Sequence, residues 1–144
     1  MTHTRYAIAA YRSAVMTTPP LQAVVLLYDG LLVRIESAAV AAEKGDYERQ
    51  FDETNRAVAI LNGLLRSLDA ARGGEVARHL EDAYRANARA LMRAVTRPEG
   101  AVACRRVANG LRRLRNSWAE IGGMAPLPMP PGAGPAKSGP AKAD

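Results

Sequence analysis

The chain has 144 residues, 48% of them apolar but only 5% aromatic, a single cysteine and a formal net charge of +6. That length suits one domain with a real core, the Ala- and Leu-rich mix favours helices packed on helices over a β-sandwich, and a lone Cys104 excludes a disulfide framework. No basic stretch followed by an apolar one opens the chain, and the longest apolar run stops at Arg34 and Glu36, short of the roughly 20 residues a membrane span needs; a cytoplasmic protein is expected.

Residues 1–18 read as an N-terminal cap segment whose apolar residues Tyr6, Ile8, Tyr11 and Val15 lie outside the bundle proper, free to fray or to dock on a groove. The adjacent prolines Pro19 and Pro20 start a helix rather than end one, because the first turn has no intrahelical use for an N–H and proline's φ suits it. That helix, over 19–44, places Leu21, Val24/Val25, Tyr28, Leu31/Leu32, Ile35, Ala38/Ala39 and Ala42 on one face, with Gly45 as the left-handed stop. Asp46 is a good N-cap for a second helix over 46–71, where Tyr47, Phe51, Thr54, Val58, Leu61, Leu65 and Leu68 form a seven-residue repeat. A third helix over 75–95 carries Val76, Leu80, Ala83/Tyr84, Ala88, Leu91 and Val95. After a turn at Pro98 and Gly100 a fourth, over 101–121, carries Cys104, Val107, Leu111, Leu114, Trp118 and Ile121, and Gly122–Gly123 end it.

Four amphipathic helices joined by short turns predict an all-α, antiparallel, up-down four-helix bundle over 19–121. Gly30 and Gly63, each costing about 1 kcal/mol in a helix interior, are expected at close helix approaches. Residues 122–144, rich in Gly and Pro, are expected to be disordered.

No constellation points to catalysis, a metal or a cofactor. His79 has no partner histidine at helical spacing, and Cys104 sits on the apolar seam, where a thiol is inert. The tail's "GAGPAKSG" lacks the glycine that a phosphate loop needs before its lysine, and no strand or helix flanks it. Two features remain. Arg105, Arg106, Arg112 and Arg113, joined by Arg115, form a basic stripe on the fourth helix, a candidate for docking an acidic protein or, as a rival reading, nucleic acid. Aromatics to stack on bases are missing beside it, so nucleic acid is not expected. The first helix is also more apolar than one seam needs, at Val24, Leu26, Leu27 and Val33, which marks a partner groove or a self-sealing dimer face. A monomer or weak dimer is expected.

Ordered motifs then give a specific resemblance. Tyr11, "TTPP" at 17–20, "LLYDG" at 26–30, "KGDYER" at 44–49, "ILNGLLRSLD" at 60–69, "GGEVARHLEDAY" at 73–84 and Trp118 follow one another as in the FliS family of flagellar secretion chaperones, which the chain resembles over residues 5–121. The resemblance implies a cytosolic, non-enzymatic export chaperone. Its client would be the C-terminal region of flagellin, bound in an extended apolar groove that prevents premature polymerisation, with the export apparatus as a further partner. It also implies an N-terminal segment covering that groove. Tyr11 matches the cap tyrosine, Tyr28, Asp29 and Gly30 the first-helix motif, and Leu68, Asp69, Gly74, Glu75, Leu80 and Tyr84 the later motifs. The client-binding or groove-capping candidates are therefore Tyr6, Ile8, Tyr11, Val24, Leu27, Tyr28, Leu31 and Tyr84. Ala23 in place of a leucine, the added Pro19, the non-aromatic Arg85-Ala86-Asn87 and the Gly/Pro tail depart from the family pattern.

Overall fold

A computed structural model describes residues 21–131. The cap segment with Tyr6, Ile8 and Tyr11, the two prolines, and the chain from residue 132 on lie outside the described residues. Four helices are present among the described residues: α1 (Leu21–Glu43), α2 (Tyr47–Arg66), α3 (Ala70–Ala94) and α4 (Gly100–Ile121). α1 packs against α2 and α4, and α3 against the same two, so α1 and α3 face each other diagonally across a closed bundle.

The core follows the predicted faces of α1, α3 and α4. Tyr28, Leu31 and Ile35 of α1, Leu91 of α3 and Cys104 of α4 are fully buried, with Tyr84, Leu111 and Trp118 almost so. Tyr28 and Tyr84 join hydroxyls across the diagonal at 2.7 Å, which lets two phenols enter the core with a polar partner. Both helix ends predicted at glycine are made the same way. Gly45 (φ +72°) and Gly123 (φ +75°) take the left-handed conformation. The N–H groups of Gly45 and Asp46 then bond the carbonyls of Ala42 and Ala41, and those of Gly123 and Met124 bond Glu120 and Ala119. This is the paired closure of a Schellman motif, and it reverses the chain.

Several expectations are corrected. The buried face of α2 is Gln50, Glu53, Thr54, Ala57, Leu61 and Leu64, while Tyr47 and Phe51 are nearly half exposed. The apolar repeat is therefore off the true seam at its start. Polar partners on other helices turn it: Gln50 donates its Nε2 to Ala94 O at 3.1 Å, and Glu53 pairs with Arg34 of α1 at 3.1 Å. α2 ends at Arg66 rather than 71, because the N–H groups of Ser67 and Leu68 already make tight last-turn bonds to Leu64 and Leu65. α3 is broken at Gly74 (φ +56°, ψ −129°), so its regular part begins at the expected Glu75. Gly30 and Gly63 do not mark close approaches, since a Cβ at either would meet nothing within 4 Å.

The tail also differs from expectation in its first part. Residues 122–131 turn back and lie along the α1–α4 seam, with Met124 and Leu127 packed against the core. The reversal at Gly123 starts this strap.

Candidate functional site

The triplet Tyr28-Asp29-Gly30 sends three consecutive residues in three directions, as 3.6 residues per turn requires. Tyr28 points inward to Tyr84. Asp29 points along the surface to α4, where Arg115 holds its carboxylate in a two-pronged grip, Nε to Oδ1 at 2.8 Å and Nη2 to Oδ2 at 3.3 Å. Gly30 points out to solvent. The motif thus joins α1 to α3 and to α4 while leaving the outer face of α1 smooth.

That outer face is the largest exposed apolar feature of α1. Leu26 is 67% exposed, Leu27 49% and Val33 60%. Leu26, Gly30 and Val33 stand at i, i+4 and i+7, one stripe on the helix. Continued upstream to Ala23 and downstream through Ser37 and Val40, the stripe carries no charge. Its downstream end opens into a cleft of about 430 Å³ lined by Ser37, Val40, Ala41, Lys44, Asp46 and Arg49 along with Glu36.

Of the client-binding candidates, Leu27 alone among the described ones presents surface. Val24, Tyr28, Leu31 and Tyr84 are at most 2% exposed. They pack in the core, and the exposed apolar surface of α1 lies instead at their neighbours Leu26 and Val33 and at Leu27. Leu26 stands two residues from the buried Val24 and Tyr28, and Val33 two from the buried Leu31 and Ile35, about 200° round the helix, so a continuous apolar stretch supplies both faces.

The basic stripe is divided by the fold. Arg105 is committed to α1, bonded to Glu36 (Nη2 to Oε2, 2.9 Å) and to Glu43. These bonds raise its pKa further, and the bond to Arg105 holds the Glu43 carboxyl below its ordinary value. Arg115 is buried against Asp29, and Arg112 bonds Asn109. Arg106 turns the other way, into a cleft of about 270 Å³ between α3 and α4 that it shares with Arg93, Arg97 and Glu99. None of those three arginines enters an ion pair among the described residues. Arg113, half-buried, is not part of that cleft.

The remaining chemistry is sparse. Cys104 is fully buried, and desolvation pushes its thiol pKa up, against the pull of the Arg105 charge. His79 is exposed on α3. Among the described residues no group of three or more His, Cys, Asp or Glu side chains is placed to hold a metal, and no helix is long and apolar enough to cross a membrane. Two residues that sequence reasoning missed are Arg115 as a buried anchor and Asn116, whose amide binds the strap. The signal available was weak: a polar pair set between the apolar positions Leu114 and Trp118.

Comparison with known proteins agrees with this architecture. A family model described as flagellar protein FliS matches residues 3–125. The chain is 32% identical over 117 residues to the flagellar secretion chaperone FliS of Salmonella typhimurium strain LT2, an alignment covering 81% of this chain and 86% of that protein. With a family model matched over most of its length, on a four-helix bundle that keeps the Tyr-Asp-Gly motif in a structural role, the chain belongs to the FliS family of flagellar proteins.

Proposed function

We propose that this protein is a cytoplasmic export chaperone that holds the C-terminal region of flagellin before secretion, without catalysis, metal or cofactor. The observation that carries the reading is the uncharged stripe Ala23-Leu26-Gly30-Val33 on α1, exposed in a chain of the FliS family. A client segment that orders as it binds loses conformational entropy, so it needs a long apolar surface rather than a deep pocket. A stripe running the length of one helix provides that area. Gly30 lets a client backbone come close, which accounts for an exposed glycine inside a helix where nothing of the protein itself requires one. Chaperoning of this kind works by mass action: the bound segment cannot polymerise while it is covered. The cap segment with Tyr6, Ile8 and Tyr11 is proposed to compete with the client for this surface.

Isothermal titration with the C-terminal segment of flagellin from the same organism tests the reading. A saturable isotherm with a negative heat-capacity change and little salt dependence supports it. Absence of heat from folded protein at two well-separated temperatures refutes it. A second reading rests on the cleft of Arg93, Arg97 and Arg106, which would suit an acidic protein surface, such as a component of the export apparatus. Binding there would weaken steeply with salt, whereas binding on α1 would not.

A further inference from the structure

The segment after α4 reads Met124-Ala125-Pro126-Leu127-Pro128-Met129-Pro130. Proline at every second position removes alternate N–H groups and biases Ala125, Leu127 and Met129 to extended backbone. Such a chain builds neither a helix nor a sheet ladder, so its polar groups must be met from the side. The bundle meets them. Asn116 donates Nδ2 to Leu127 O at 2.9 Å, and its Oδ1 accepts from Leu127 N at 2.9 Å. One side-chain amide thereby reproduces the reciprocal pair of bonds that a residue exchanges with a neighbouring antiparallel strand. Two residues upstream, Arg115 donates Nη1 to Ala125 O at 3.0 Å. Arg115 is itself aimed by Asp29, and it donates to Asn116 Oδ1 at 3.2 Å, which orients the amide.

The apolar part of the contact is equally local. Met124 and Leu127 pack against the core, and Pro130 walls a cleft of about 280 Å³ with Glu36 of α1 and Arg105, Ala108, Asn109 and Arg112 of α4. These three hydrogen bonds reach the strap through its backbone, and its side chains contribute apolar surface at 124 and 127.

We infer that the α1–α4 seam is a docking groove that reads the backbone of an extended, uncharged, proline-containing peptide, and that residues 124–130 are its occupant in cis. A peptide of the same chemistry arriving in trans must displace the strap. This surface is distinct from the outer stripe of α1, and the inference does not depend on the flagellin reading.

The probe is a fluorescein-labelled peptide of sequence MAPLPMP, titrated by anisotropy against the full chain and against the full chain carrying Leu127→Asp. The substitution weakens the occupant and leaves the groove intact. The variant is expected to bind the probe at least tenfold more tightly than the parent, and adding Asn116→Leu is expected to remove that gain with the thermal melt preserved. Equal affinity in parent and Leu127→Asp, or a gain that survives Asn116→Leu, would overturn the inference. Hydrogen exchange on the parent gives a reading that needs no variant of the strap. The Leu127 amide is expected to be protected at least tenfold over the free-peptide rate, and exchange at the free rate would overturn the inference as well.

Discussion

Replacing Asp29 by Asn removes the charge that answers Arg115 while keeping its shape. The Arg115 side chain is 8% exposed and Asp29 32%, so the pair is buried on one side only. Breaking a fully buried pair costs about 3–5 kcal/mol, because the surviving charge is left without a partner. Here two features reduce that. Water reaches the Asp29 side, and Arg115 keeps its bonds to Ala125 O and Asn116 Oδ1. The expected loss is therefore about 2–3 kcal/mol. For a domain of this size that corresponds to a melting temperature lower by about 6–12 °C. Urea denaturation followed by circular dichroism measures it, with the midpoint shifting and the slope unchanged. The paired substitution Asp29→Leu with Arg115→Met removes both charges and is expected to recover part of the loss. A single Asp29→Asn change within 0.5 kcal/mol of the parent would refute the reasoning and place Arg115's charge in water.

Three further outcomes are expected. Gly30→Ala fills open space on α1, so it should stabilise the fold by about 0.5–1 kcal/mol in thermal melts while weakening flagellin binding if a client lies over that spot. Gly100→Ala should do the reverse. Its Cβ would stand 2.6 Å from Ala94 O and 3.2 Å from Gln50 Nε2, and the forced shift should cost about 1–3 kcal/mol by the same melts. Cys104 should react with a disulfide reagent far more slowly in the folded than in the unfolded chain. Its thiol keeps its proton above the ordinary value of 9.0 in the fold, so the unfolded chain deprotonates first and stability should fall as pH rises through that value. A Cys104→Ala variant should lose that part of the slope.

The flagellin reading and the groove inference separate cleanly in these tests. Leu26→Asp with Val33→Asp changes two exposed positions and should leave stability nearly unchanged while abolishing client binding. The same substitutions should leave capture of the strap peptide untouched, since they lie off the α1–α4 seam.

The sequence alone determined the number of helices, their class and most of their boundaries. Steps of three and four in α1, α3 and α4 are dense enough to name the buried face, and Gly45 and Gly123 announce reversals because few other residues tolerate a positive φ. Ordered motifs from Tyr11 to Trp118 also disclosed the family. Tertiary structure decided which apolar residues are surface. Tyr47 and Phe51 sit on the periodic apolar face of α2, yet they are 46% and 45% exposed while the polar Gln50 is fully buried. It also decided the fate of each charge. Arg105, Arg106 and Arg115 look alike along α4, but Arg105 finds Glu36 and Glu43, Arg115 finds Asp29, and Arg106 faces other arginines. The buried Gln50 and Glu53 turn α2 away from its own apolar repeat through partners on α3 and α1. The reason is common to all of these. Helical periodicity is written in neighbours along the chain, whereas a buried polar group is tolerated only if a residue far away in sequence meets it, and that meeting exists only once the helices have packed.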